Sequence, residues 1–171
     1  MARQGYDGVV LAAPVTVPYA RFSTRPAQWW VGKALAALAE ASGISHRDFD
    51  GFSLASFSMA PDSAIGLTQH FGLSPRFLDF LPLGGVAGVA SIRRAARIVQ
   101  AGDADVVACI AADSNAPQSF RQSLENFSRF SQDAVYPYGA GGPNVSFALI
   151  AQAYMIQTGL TRADIGQLAV A

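Results

Sequence analysis

The stretch Leu81-Pro82-Leu83-Gly84-Gly85-Val86-Ala87-Gly88-Val89-Ala90 has the layout of a reactive turn. A strand-like run, Arg76 to Leu81, leads into it, and a helical run from Val86 to about Ala101 leads out. α/β enzymes place nucleophiles at such junctions, because the first N–H groups of a helix favour negative charge. This turn holds no Cys, Ser, Thr, His or acid. It has the shape of a nucleophile elbow without a nucleophile. Gly84, Gly85 and Gly88 then admit two readings. They let a ligand approach the backbone, with amides near Val86 and Ala87 as oxyanion donors, or they let the helix pack closely on its sheet.

The other reactive residue types are sparse. Cys109 is the sole thiol and sits in the apolar run Asp105 to Ala112, where it reads as an inert core residue. Arg93, Arg94 and Arg97 share one side of the helix and admit two readings, contact with the phosphates of a ligand or, the favoured one, a solvated or interface face. His46 falls in a capping sequence and His70 near a helix end, neither with an acid at useful spacing. Residues 113–142 read as a long loop, rich in Ser, Gln and Asn but carrying Phe120, Phe127, Phe130, Tyr136 and Tyr138. Five rings in such a loop need cover, from protein or from a bound apolar chain. No grouping has metal-ligand spacing.

The elements that must position these residues alternate between strand and helix, which implies an α/β class. Strands are expected at Gly8–Ala13, 50–56, 76–81 and 105–112. A helix should start after Ser23-Thr24-Arg25-Pro26, with a hydroxyl cap, and end at Gly43. Ser45-His46-Arg47-Asp48 resembles a capping box that opens one helical turn, and Asp62–Phe71 should be helical up to Gly72. A further helix is expected over Asn144–Thr158. The capping box Thr161-Arg162-Ala163-Asp164 should open a last helix through Ala171, with a short final strand as the competing reading. Gly43–Phe52 echoes Gly159–Leu168, which reads as shared helix-to-helix chemistry rather than a repeat.

With 171 residues the chain can bury one sizeable core. It is 51% apolar and 14% charged, against roughly 25% charged in ordinary domains, so much of its surface should be buried in a two-sided sheet or against a partner. Lys+Arg equals Asp+Glu, which gives no basis for nucleic-acid binding. No apolar run approaches a membrane span, and the N-terminus lacks a signal-peptide pattern. A single cysteine fits a reducing, cytoplasmic setting.

The residues also resemble a known family. Pro26–Ser42 followed by Gly43-Ile-Ser-x-x-Asp-Phe-Asp-Gly51 is similar to the first helix and second strand of the thiolase superfamily. Gly84-Gly-Val-Ala-Gly88 through Gly102-Asp-Ala-Asp-Val106 resembles its nucleophile segment. Tyr138-Gly-Ala-Gly-Gly-Pro-Asn-Val-Ser-Phe147 through Met155, then Gly159-Leu-Thr-Arg-Ala-Asp-Ile165, is similar to thiolases of the sterol-carrier-protein type. The resemblance implies a thiolase-like fold, a mixed sheet flanked by helices, forming most of the first half of a duplicated α-β-α-β-α architecture. Residues 1–171 would be that N-terminal domain, incomplete at its C-terminal end. Gly85 stands where a thiolase carries its nucleophilic Cys, so the resemblance implies no catalytic residue here and no acyl-thiolate chemistry. Members that lack this Cys resemble retro-aldolases that cleave β-hydroxyacyl-CoA compounds, as in steroid side-chain breakdown, and work with small partner proteins.

The resemblance therefore implies an acyl-CoA substrate, no separate cofactor and no metal. Gly84, Gly85, Val86, Gly88, Tyr136, Tyr138, Gly141 and Gly142 would form its binding site. A homodimer is implied, paired through the strand that precedes the turn, with a small partner subunit as a further associate. Three function classes stand: an acyl-CoA lyase or acyltransferase that is inactive as this piece alone, a non-catalytic thiolase-fold subunit, and a truncated structural half-domain.

Overall fold

The computed structural model describes residues 5–115, 137 and 143–170. The chain divides into two compact units, Met1–Ser114 and Asn115–Ala171.

The first unit is built on a three-stranded sheet in the order β2-β1-β3, with β1 Gly51–Ala55, β2 Phe77–Leu81 and β3 Val107–Ala111. Both pairings are parallel, with Gly51 opposite Phe77 and Val107. The mixed sheet expected from sequence thus has no antiparallel member among the described residues. Central β1 is buried along its whole length, as a parallel strand covered on both faces must be. Phe52 and Leu54 face one side and pack with Val31 and Leu35 of α1 (Ala27–Ser42) and Leu67 of α2 (Ser63–Phe71). Ser53 and Ala55 face the other side, towards α3 (Ala87–Ala101). The α2 crossover carries the chain from β1 to β2, and the α3 crossover carries it back past β1 to β3. With right-handed crossovers, opposite directions of travel place the two helices on opposite faces.

Asp50 ties the opposite end of the sheet together. Its carboxylate accepts from the amides of Asp105 and Val106 at 2.7–3.0 Å and pairs with Arg76 at 2.5 Å. Burial alone pushes this carboxyl up, but the two amides and the Arg76 guanidinium outweigh it and hold the carboxyl below its ordinary value.

Three expectations are corrected here. Gly8–Ala13 is not a strand. Val9 closes a turn onto Tyr6, Ala13 takes φ +50°, and Val10 and Leu11 are exposed, with no described strand alongside them to accept pairing. The Ser23 hydroxyl accepts from Arg25 and does not cap α1, whose N-cap is Pro26. The single turn expected after Ser45 is present as a 3-10 turn, His46–Asp48, but the Ser45 hydroxyl accepts from Arg47 and not from Asp48 as in a capping box.

In the second unit, α4 spans Pro143–Thr158 and α5 spans Arg162–Gly166. Thr161 and Asp164 form the expected reciprocal capping box. The helix it opens is shorter than expected and passes into a 3-10 turn, Gln167–Ala169. No helix among the described residues is long and apolar enough to cross a membrane.

Candidate functional site

At the C-terminal end of the sheet, the loops after β1 and β2 leave towards opposite faces. This is a topological switch point, the position where open α/β sheets form their ligand crevice. The loop after β2 is the elbow. Leu81 ends the strand, Pro82 and Leu83 turn the chain, and Gly84–Val86 form a 3-10 turn running directly into α3.

Glycine is required at the first elbow position by backbone geometry, since Gly84 adopts φ +61°. A Cβ there would stand 3.8 Å from the Phe57 ring, so the loop after β1 closes against the elbow. Gly85 is different. It is exposed, its φ is not positive, and a Cβ would meet nothing within 4 Å. Gly88, one turn further on, is equally open. Close helix-on-sheet packing therefore does not account for Gly85 or Gly88 among the described residues. Burial is handled instead by Ala87, which packs with Ala55 and Leu81.

The backbone donors differ from those expected. The Ala87 amide donates to the Gly84 carbonyl and is committed within the turn. The first amides of the helical stretch, those of Gly84 and Gly85, have no carbonyl one turn back in the helix to serve. Val86 projects an exposed side chain, as does Val89. Tyr136, Tyr138, Gly141 and Gly142, and with them Phe120, Phe127 and Phe130, lie outside the described residues.

A second feature of this end was not anticipated. One carboxylate oxygen of Asp113, two residues beyond β3, accepts from the Ser56 hydroxyl (2.8 Å), the Phe57 amide (2.9 Å), the Ser58 amide (2.8 Å) and the Ser58 hydroxyl (2.8 Å). Ser56 also donates its amide to Leu81 and accepts from the Met59 amide. The ends of all three strands are thereby laced together. The signal available in the sequence was an acid just past a strand end, with two serines just past another.

Cys109, the three arginines and the two histidines lie outside the elbow. Cys109 is half-buried on β3; burial pushes its thiol up, and a hydrogen bond with Ser91 works the other way. Ser91 also donates to Ser53 at 2.8 Å within the α3–β1 interface. Arg94 pairs with Asp79 of β2 at 3.1 Å, and Arg97 donates to the Gly5 carbonyl and lies over the Tyr6 ring. Arg93 has no ion pair among the described residues. These arginines, with Phe77, Val86 and Val89, line an open groove of about 610 Å³ between β2 and α3. His46 is half-buried in its turn, and His70 is exposed with its ring edge-on to Phe71.

The first unit is thus a parallel α/β sheet flanked by helices, with a strand–turn–helix elbow at its switch point. No family profile matches the chain. It is 34% identical over 145 residues to the 17-hydroxy-3-oxo-4-pregnene-20-carboxyl-CoA lyase of Mycobacterium tuberculosis, covering 80% of this chain and 37% of that protein. It is 31% identical over 144 residues to the steroid side-chain-cleaving aldolase of Thermomonospora curvata, covering 80% of this chain and 36% of that one. Among solved structures it is similar to an Ltp2-ChsH2(DUF35) aldolase, with a TM-score of 0.67 and 25% identity over 86% of this chain and 38% of the other. The chain thus spans just over a third of the length of the curated relatives it matches.

Proposed function

We propose that this chain forms part of a thiolase-like acyl-CoA lyase that breaks a carbon–carbon bond by retro-aldol chemistry. The observation that carries this reading is the elbow, which has open space at Gly85, the residue that the sequence resemblance matches to the nucleophilic Cys of a thiolase. The similarity to two steroid side-chain lyases supports it.

In such a reaction the β-hydroxyl loses its proton, its oxygen becomes a carbonyl, and the Cα–Cβ bond breaks. The bonding pair moves into an enolate on the thioester, which then takes a proton at Cα. Charge develops on the thioester oxygen, and no acyl group needs to be transferred to the protein. A backbone donor site without a nucleophile suits that demand. The amides of Gly84 and Gly85, at the start of α3, are the donors we assign. Gly85 and Gly88 leave room for the thioester, and Val86 offers it an apolar flank. Coenzyme A enters only as part of the substrate.

We also infer self-association through β2. It is an edge strand of the described sheet, and Val86 and Val89 are exposed beside it. Phe77 donates to Asp50 and Leu81 accepts from Ser56, so residues 77, 79 and 81 direct their backbone groups towards β1. By alternation, Leu78 and Phe80 direct theirs to the open edge. A small partner subunit is a further expectation, in keeping with the pairing of two named components in the solved Ltp2-ChsH2(DUF35) aldolase.

The test is incubation of the full-length protein with a β-hydroxyacyl-CoA, without free CoA. Release of a ketone and a shorter acyl-CoA is expected. No cleavage, with retained thioester binding, would overturn the lyase reading in favour of a non-catalytic subunit.

A further inference from the structure

We propose that Asp113 is the positioning residue of the elbow, holding Phe57 against Gly84 so that the turn keeps one geometry; this rests on the lyase reading above. Four donors converge on one oxygen of Asp113, all of them from Ser56–Ser58. These four hydrogen bonds to one oxygen fix the backbone of the loop that carries Phe57. The Phe57 ring in turn occupies the space next to Gly84, 3.8 Å from where a Cβ would lie. Gly84 has no side chain of its own to pack, so contacts from its neighbours limit how far its positive-φ backbone moves. Ser56 closes the circuit by donating its amide to Leu81, the last residue of β2 before the elbow.

The other Asp113 oxygen accepts no hydrogen bond from a described residue, and the side chain is exposed. Asp113 therefore fastens the loop from outside, at the strand ends, without filling the space at Gly85. The arrangement separates two jobs. The elbow amides meet the ligand, and Asp113 keeps them aimed. A misplacement of about 1 Å at such donors costs on the order of 100-fold in rate.

The test compares Asp113→Ala with Asp113→Asn in the full-length protein. Asn retains one acceptor oxygen in the same place, whereas Ala removes it. Amide hydrogen exchange is measured over residues 56–59 and 83–88. Turnover is measured with 17-hydroxy-3-oxo-4-pregnene-20-carboxyl-CoA as the probe. Asp113→Ala should raise exchange in both segments by about tenfold or more. It should also lower kcat by about 10- to 100-fold, with KM changed far less. Asp113→Asn should recover most of both, with an unaltered pH profile.

Faster exchange confined to residues 56–59 would overturn the proposal, because the elbow would then be independent of the latch. Equal loss in the Asn and Ala variants, with the acid limb of the pH profile abolished, would also overturn it, in favour of direct proton transfer by Asp113. If the wild-type protein cleaves no probe, the lyase reading fails. The exchange data on residues 83–88 then decide the positioning role alone.

Discussion

Replacing Gly85 with Cys tests the geometry of the elbow directly. The substitution adds a Cβ and a thiol where nothing stands within 4 Å, at a residue whose φ is not positive. The fold should accept it, and the loss of glycine freedom in the unfolded chain should offset any cost by up to about 1 kcal/mol. The thiol would sit one residue before Val86, at the entrance to the 15-residue helix α3. A helix N-terminus stabilises an exposed negative charge by about 0.3–1 kcal/mol. At about 1.36 kcal/mol per pKa unit, that lowers the thiol by roughly 0.2–0.7 unit from the usual value near 8.5. The thiolate fraction at pH 7 then rises about 1.5- to 4.5-fold. The assay is the pH dependence of iodoacetamide alkylation, resolved by peptide mass mapping. Cys109 is the internal control, since burial pushes its thiol up and it should react slowly. If the introduced thiol titrates at or above the value found for the same peptide in denaturant, an elbow with open helix amides is refuted.

Four further outcomes follow from the same geometry. Gly51→Ala should lower stability by about 1–3 kcal/mol, read as a fall in Tm, because its Cβ would stand 2.6 Å from Cγ2 of Val107 on the neighbouring strand; an unchanged Tm would contradict the strand register. Gly84→Ala should cost about 1–2 kcal/mol through its φ of +61°, whereas Gly85→Ala should cost nothing, so similar melts for the two would refute the turn conformation. Asp50 has a folded pKa below the ordinary 3.8, so its stabilisation is present above that value and lost as pH falls through the folded pKa. The Tm deficit of Asp50→Asn should therefore be largest near neutral pH and shrink in acid, and a deficit that grows in acid would reverse the assignment. Leu78→Pro removes an amide from the open edge of β2 and should weaken self-association, seen by light scattering, more than it lowers Tm; unchanged association would exclude that edge.

The elements that position the site were legible because their signals are local. Strand runs bounded by turn residues gave 50–56, 76–81 and 105–112, and Gly43 and Gly72 marked helix ends that the structure closes with positive φ. The elbow was legible for the same reason, since strand, turn and helix are contiguous. Gly8–Ala13 misled because an apolar run does not reveal whether another strand lies beside it. The Asp113 latch was hidden because its partners lie 55–57 residues away in the chain. The engagement of the Ala87 amide by Gly84 depends on a 3-10 rather than an α-helical start, a difference that side-chain types do not encode. The expectations for Tyr136, Tyr138, Gly141 and Gly142 fall outside the described residues.

Carbon–carbon cleavage of an acyl-CoA, without acyl transfer to the protein, is tested most directly by one measurement. It is a single turnover of 17-hydroxy-3-oxo-4-pregnene-20-carboxyl-CoA by the full-length protein in D2O, with no free CoA, followed by mass spectrometry. The expected products are a steroid ketone and a released acyl-CoA carrying one solvent deuterium at its α-carbon, with no acyl adduct on the protein. A requirement for free CoA, or an acyl group covalently bound to any residue, would contradict retro-aldol cleavage.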